Sequence, residues 1–202
     1  MIARLVTLAV CLLAASAASA QWREGGRPVS DDAGRQRDGD FGAMLVVTDK
    51  LDQFLLEWDK PDDPSHPPMV SRARSAKRGG VVWAVVVFTN CAPGDDRLCR
   101  ADVDFDILRP DGSSYASHKA AELWHGPPPP PHILQLSAAR LGFQVELDDP
   151  LGTYAIRAVA LDRVANRKVT LEQKLDVSDR VTPPPAAIST SPANSGGTRT
   201  GR

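Results

Sequence analysis

Apolar and polar residues along this chain repeat with a period of two. Residues 101–107 alternate Ala101, Val103, Phe105 and Ile107 with Asp102, Asp104 and Asp106. Residues 141–147 do the same with Leu141, Phe143, Val145 and Leu147 against Gly142, Gln144 and Glu146. In 153–161, Tyr154, Ile156 and Ala158 share one face, and Arg157, Val159 and Leu161 share the other. In 169–177, Val169, Leu171, Leu175 and Val177 point one way, and Thr170, Glu172, Lys174 and Asp176 point the other. Gln173 interrupts that inward row, which predicts a bulge or an edge position. Strict alternation is the mark of a half-buried strand, because successive side chains leave opposite faces of the pleat. Residues 81–89 (VVWAVVVFT) are apolar throughout, as a central strand covered on both faces would be. Shorter strand candidates lie at 43–48, 53–58 and 132–136, and a short helical turn is expected within 134–141.

Turn formers separate these runs: Gly79-Gly80, Pro93-Gly94, Pro110-Asp111-Gly112, Asp149-Pro150 with Gly152, and Asn166. About 7–9 short strands with no strong helical segment predict an all-β antiparallel sandwich. The folded unit is expected over residues 41–179. Residues 21–40 contain one large apolar side chain, Trp22, and residues 180–202 are rich in Pro, Ser, Thr, Gly and Ala. Neither can bury enough surface to offset its ordering entropy, so a flexible lead and a disordered tail are expected.

The first twenty residues, MIARLVTLAVCLLAASAASA, carry one charge, Arg4, then an apolar run, then Ala18-Ser19-Ala20. That layout predicts a signal peptide cut after Ala20. The apolar run falls short of the ~20 residues that span a bilayer, so no membrane span is expected after cleavage. Cys11 belongs to this segment. The expected location is periplasmic or secreted. The formal net charge of −1 excludes the strongly basic balance of a nucleic-acid-coating protein.

Asp149-Pro150-Leu151-Gly152-Thr153-Tyr154-Ala155-Ile156 resembles the tyrosine corner of immunoglobulin-like domains, in which a Tyr at the start of a strand hydrogen-bonds back across the preceding turn. The run that follows, AVALDRVANRKVTLEQKLDV, resembles the last hairpin of bacterial extracytoplasmic Ig-like modules. The likeness covers residues 143–177. It implies a structural role for Tyr154 and Gly152, an aliphatic core at Ile156 in place of an antibody-type Cys, and a buried Trp83. It implies a fold and not an activity, since such sandwiches host many functions. Trp58 is expected in a strand facing the core.

Cys91 and Cys99 are an even pair in a chain expected to be exported, which reads as a disulfide, with two free thiols as the alternative. Such a bond would close the loop APGDDRL. It would serve as a hairpin staple, or it would constrain a recognition loop displaying Asp95, Asp96 and Arg97. The C-x7-C spacing does not fit a redox motif. Asp102, Asp104 and Asp106 form an acidic stripe on one strand face, with Arg100 and Arg157 as its expected counter-charges. A flat face does not converge on a cation, so no metal site is expected there. His118, His125 and His132 lack zinc spacing and are expected as loop histidines.

The most unusual loop holds Tyr115, Trp124, His125 and Pro127–Pro131. Five prolines impose a stiff polyproline segment. Trp124 is expected to plug one end of the sandwich, or else to act as a stacking platform for a sugar or a protein partner. There is no G-x-S-x-G elbow, P-loop, G-x-G-x-x-G or H-E-x-x-H motif. The expectation is therefore a non-enzymatic interaction module of the bacterial envelope, binding a protein partner through loops at a sandwich end and needing no cofactor. The alternative is a carbohydrate-binding or adhesin-like module that uses Trp124 and Tyr115 on a glycan.

Overall fold

The computed structural model describes residues 22–24, 27–60, 72–131 and 133–179. The expected signal peptide, the expected tail and His132 lie outside the described residues. In chain order the elements are β1 (Trp22–Glu24), β2 (Arg27–Val29), β3 (Arg35–Asp38), β4 (Phe41–Thr48), α1 (Leu51–Trp58), β5 (Ser75–Lys77), β6 (Val81–Thr89), β7 (Cys99–Leu108), β8 (Ser114–Gly126), β9 (Gln135–Gln144), β10 (Gly152–Asp162) and β11 (Arg167–Ser178). Nine of these strands build two sheets, ordered β5-β11-β10-β7-β8 and β3-β4-β6-β9. The pairing is antiparallel except for β5, which lies parallel to β11. The fold is an all-β, Ig-like sandwich.

The alternating rows meet between the sheets. Val103, Phe105 and Ile107 of β7, Tyr154 and Ile156 of β10, and Leu171 and Leu175 of β11 are all fully buried. Across from them stand Phe41 and Leu45 of β4 and Val82, Val86 and Phe88 of β6. Each large side chain so buried contributes about 1.5–3 kcal/mol, far more than any surface ion pair, so this double row specifies the fold. At the start of β10, the Tyr154 hydroxyl donates to the Pro150 carbonyl (3.0 Å). Gly152 has φ 131° there, and a Cβ on it would lie 3.0 Å from Pro110.

Strand β6 is apolar on both faces because its outer row is covered too. Val85 and Val87 join Met44, Val46, Trp22 and Phe54 in a second apolar cluster. Helix α1 caps this cluster with Phe54, Leu55 and Trp58.

Several expectations change here. Residues 53–58 form α1 and not a strand: Leu51, Phe54, Leu55 and Trp58 recur at helical spacing. Trp58 is half-buried on that helix, tilted against Phe54 at 5.8 Å. Trp83 also misses the inter-sheet core. It belongs to the outward row of β6 and lies half-buried over Gly142, where a Cβ would approach its ring to 2.7 Å. Residues 134–141 contain no helical turn, and 135–141 lie in β9, paired with β6 across an irregularity between Val85 and Val87.

Residues 22–24 and 27–40, expected as a flexible lead, contribute β1, β2 and β3. Trp22 is buried over Gly42, whose Cβ would sit 3.0 Å from the indole. Strand β3 pairs with β4, and the Ala33 carbonyl accepts the Glu172 amide of β11 (2.6 Å). Backbone pairing of this kind needs few apolar side chains, which is why composition misjudged the segment. Gln173 causes no bulge. The β10–β11 register runs unbroken through Ile156↔Gln173, and its side chain occupies the space left by Gly34, where a Cβ would come within 1.7 Å of Nε2.

Candidate functional site

Strand direction determines which loops can meet. β6 ends, β7 begins, β8 ends, β10 ends and β11 begins at one end of the sandwich, as the antiparallel registers require. Cys91 follows β6 and Cys99 opens β7. They form a disulfide with their Cα atoms 5.9 Å apart, and both residues are buried.

The loop they close is internally bonded. The Gly94 amide donates to the Leu98 carbonyl (2.9 Å), and the Arg97 amide donates to the Gly94 carbonyl (2.9 Å). Asp96 accepts the Leu98 amide (3.1 Å) and pairs with Arg100. The Leu98 hydrogen bond, with help from Arg100, holds the Asp96 carboxyl below its ordinary range. Asp95, Asp96 and Arg97 are exposed at the tip.

Asp162, the last residue of β10, is fully buried and positions the neck of this loop. One carboxylate oxygen accepts the Ala92 amide (2.8 Å). The other accepts the Val164 (2.9 Å) and Ala165 (3.1 Å) amides of the β10–β11 turn. A single side chain thus ties two loops that are 70 residues apart.

The proline run stands across from that neck. Trp124 is half-buried, tilted against Phe88 at 5.9 Å, and its indole N–H donates to the Pro127 carbonyl (3.0 Å). Pro129 is buried, while Pro127, Pro128, Pro130 and Pro131 are exposed. Between the run and the neck lies an open cleft of about 600 Å³. Cys91, Ala92, Pro93 and Pro128–Pro131 wall it, and Asp40, Asn90, Ala165 and Arg167 complete the lining. The Arg167 guanidinium lies against Gly39, where a Cβ would come within 2.8 Å, and reaches Asp40 at 3.5 Å. The disulfide loop and the proline loop, singled out separately in the sequence, therefore face one cleft. Asp40, Asp162 and Arg167 were not singled out there. Asp162 had a readable signal: it is a carboxylate in phase with the inward row Tyr154, Ile156, Ala158 and Ala160.

Tyr115 lies at the opposite end. It lies nine positions before Trp124 on β8, roughly 25–30 Å at strand rise, so the two do not form a joint sugar platform. The Tyr115 hydroxyl sits between the Gln144 carbonyl (2.5 Å) and the Asp149 carboxylate (2.7 Å). Its ring meets Tyr154 edge-on at 5.8 Å, and the Arg109 guanidinium stands over it at 4.7 Å.

Desolvation, and then the hydrogen bond to Asp149, push the Tyr115 hydroxyl up from 10.0 to about 12. The fold thus favours the neutral phenol. Its contribution is complete below pH 10 and is lost as pH rises through about 12. Between those limits the wild type is expected to lose melting temperature more steeply than Tyr115→Phe. Burial also raises the Tyr154 hydroxyl, and that share persists in the variant. Parallel melting curves for the two proteins would contradict the Tyr115 assignment.

The acidic stripe is threaded with cations, though not all the expected ones. Arg163 pairs with Asp102, and Lys119 reaches Asp106 at 2.6 Å and Asp104 at 3.8 Å. Arg100 is engaged by Asp96. Arg157 pairs with Glu172 at 2.7 Å and also stands opposite Asp106 in the β10–β7 register, where its charge joins that of Lys119 in favouring the carboxylate. His118 and His125 are exposed on β8. No group of three or more His, Cys, Asp or Glu that could hold a metal occurs among the described residues.

No family model matches the chain, and no curated protein matches it. Solved structures give remote likenesses. A Niemann-Pick type C2 protein from the Japanese carpenter ant aligns with 13% identity and a TM-score of 0.39, over 74% of this chain and 99% of that one. A CARDB domain from Pyrococcus furiosus, in complex with di-metal ions, aligns with 10% identity and a TM-score of 0.34, also over 74% and 99%. A family 123 glycoside hydrolase from Clostridium perfringens aligns with 8% identity and a TM-score of 0.39, over 70% of this chain and 28% of that one. Likenesses this remote carry no functional argument.

Proposed function

We propose that this chain is an exported, non-enzymatic interaction module of the bacterial envelope, and that it binds a protein partner at the disulfide end of its sandwich. The observation that carries the reading is convergence. Two stiffened segments, the disulfide neck at 91–93 and the proline run at 128–131, wall a single open cleft. Stiff walls suit recognition, because little conformational freedom is lost when a partner docks. Loops carried on a rigid sandwich are where such folds place their binding surfaces. The signal-like N-terminus and the disulfide support an extracytoplasmic location. Among the described residues no helix is long and apolar enough to cross a membrane.

The sugar-platform alternative finds less support. The Trp124 ring packs on Phe88 and its N–H is engaged by Pro127.

The test is in-cell chemical crosslinking of the tagged full-length protein, followed by mass spectrometry of the linked peptides. One dominant envelope protein, joined through residues 92–100, is expected. Links scattered over both ends and both sheets would overturn the reading.

A further inference from the structure

We infer that strand β8 is a sheet edge closed to pairing with a second copy of this chain, and that Asp104 holds it closed. The inference stands apart from the docking reading, since it concerns the side of the sandwich and not its disulfide end. Strand β8 is the last strand of the five-stranded sheet, and among the described residues no strand pairs with its outer side. With 13 residues it is the longest described strand. It contains no proline. A flat edge of that length would offer a row of free amides and carbonyls to another chain.

Strand β8 is not flat. It has 13 residues against ten in β7, and the register slips at three places. Tyr115, one residue of the pair Lys119–Ala120, and Leu123 are the extra ones. Each slip is a bulge, which bends the strand and increases its twist. At the middle one, Lys119 and Ala120 together oppose Asp104. Ala120 has φ 51°, a left-handed conformation that costs an L side chain energy. Its amide donates to the Asp104 carboxylate (2.8 Å), so β7 engages this group and keeps it from another chain. The Lys119 ammonium reaches Asp106 (2.6 Å) and Asp104 (3.8 Å). The edge's central charge is thus drawn back to its own sheet, and the bent shape is what guards the edge.

The other edges of the sandwich are blunted in the same sense. Strand β9 ends the four-stranded sheet, and its residues between Leu136 and Arg140 stand against Val86 alone. Within that irregularity the Ser137 hydroxyl donates to the Ala139 carbonyl (2.6 Å), so a side chain again takes a backbone group of the edge. Strands β3 and β5 have only four and three residues. Of the four edges β8 is the longest, and its middle bulge therefore matters most.

The test is sedimentation velocity, with hydrogen exchange, on the full chain with its disulfide formed. Four forms are compared: wild type, Asp104→Ala, Asp104→Asn and a chain with Ala120 deleted. The wild type is expected as a monomer over a roughly 100-fold range of concentration. Deleting Ala120 leaves one residue opposite Asp104 and restores regular alternation between His118 and Ala121. That chain is expected to self-associate at least about 10-fold more tightly than wild type, with new amide protection along β8. Asp104→Ala leaves the Ala120 amide without its acceptor. It is expected to associate in the same way, and its monomer to exchange the Ala120 amide about 10-fold faster. Asp104→Asn keeps a carbonyl oxygen for that amide and is expected to remain a monomer. Where the deletion does not fold, Asp104→Ala decides, because it leaves the backbone whole. A wild type that pairs through β8, or a folded deletion or Asp104→Ala chain that stays monomeric, would overturn the inference. So would association without new protection on β8, or an Asp104→Asn chain that associates as Asp104→Ala does.

Discussion

Asp162→Ala is expected to lower stability by about 3 kcal/mol, and the melting temperature by about 6–12 °C. The carboxylate is fully buried and accepts three backbone amides, from Ala92, Val164 and Ala165. Hydrogen bonds to a charged acceptor are worth about 1.5–3 kcal/mol each, but three bonds on one group do not add independently. Truncation leaves three amides without their acceptor and a void at the end of β10. Asp162→Asn separates the two loops it joins. Its remaining carbonyl oxygen can serve Val164 and Ala165, while its amide group would face the Ala92 N–H, donor against donor. The Asn variant is thus expected to melt between wild type and Ala, with faster amide exchange near Ala92 than near Ala165. Thermal unfolding and hydrogen exchange check both points. An Ala variant within about 0.5 kcal/mol of wild type, the range of a neutral surface change, would contradict the role given to Asp162.

Removing the disulfide has the next largest expected effect. Cys91→Ala with Cys99→Ala should lower stability by about 2–3 kcal/mol, most of it from the freer unfolded chain. A fall of about 4–12 °C in melting temperature follows. Both residues are buried, so alanine is the replacement that adds no polar group to the core. The effect on the cleft should exceed the effect on the sandwich, because Ala92 and Pro93 lie inside the bonded loop and line the cleft. Crosslinking to a partner should therefore fall in the double variant even at temperatures where it stays folded. Before mutation, the intact protein should have the mass of the dithiol less two hydrogens, and free-thiol labelling of the native chain would exclude the bond.

Legibility in the sequence followed the alternation. Where apolar and polar residues took turns, as in 101–107 and 169–177, the inward row could be read, and its large apolar residues lie in the core. Where both faces were apolar, phase was lost. VVWAVVVFT has no polar residue to mark the outside before Thr89, so nothing in it says that Trp83 faces outward while Val82 and Ala84 face the other sheet. FLLEW at 54–58 is too short to separate a period of two from one of 3.6, and the helix there depends on the second cluster it covers. Strand β3 shows little apolar pattern, since backbone pairing to β4, together with the Ala33–Glu172 bond just before it, holds it.

The candidate site was legible in pieces. The cysteines and the five prolines stood out as chemistry. Their meeting depends on topology: β7 and β8 form a hairpin, so the residues before β7 and those after β8 share an end. The same argument sends Tyr115, at the start of β8, to the other end. Asp40 and Arg167 carried no signal of their own, because one is an ordinary charged turn residue and the other an ordinary charged strand end until the fold brings them to the cleft.

The proposed function requires that the disulfide end of the sandwich meets the partner. The most direct measurement is site-specific photo-crosslinking in cells. One full-length chain would carry the photoreactive residue at Ala165, in the cleft lining, and another at Ser113, exposed in the turn before β8. A discrete crosslinked protein is expected from position 165 and background from position 113. The same capture from both positions, or from position 113 alone, would contradict it.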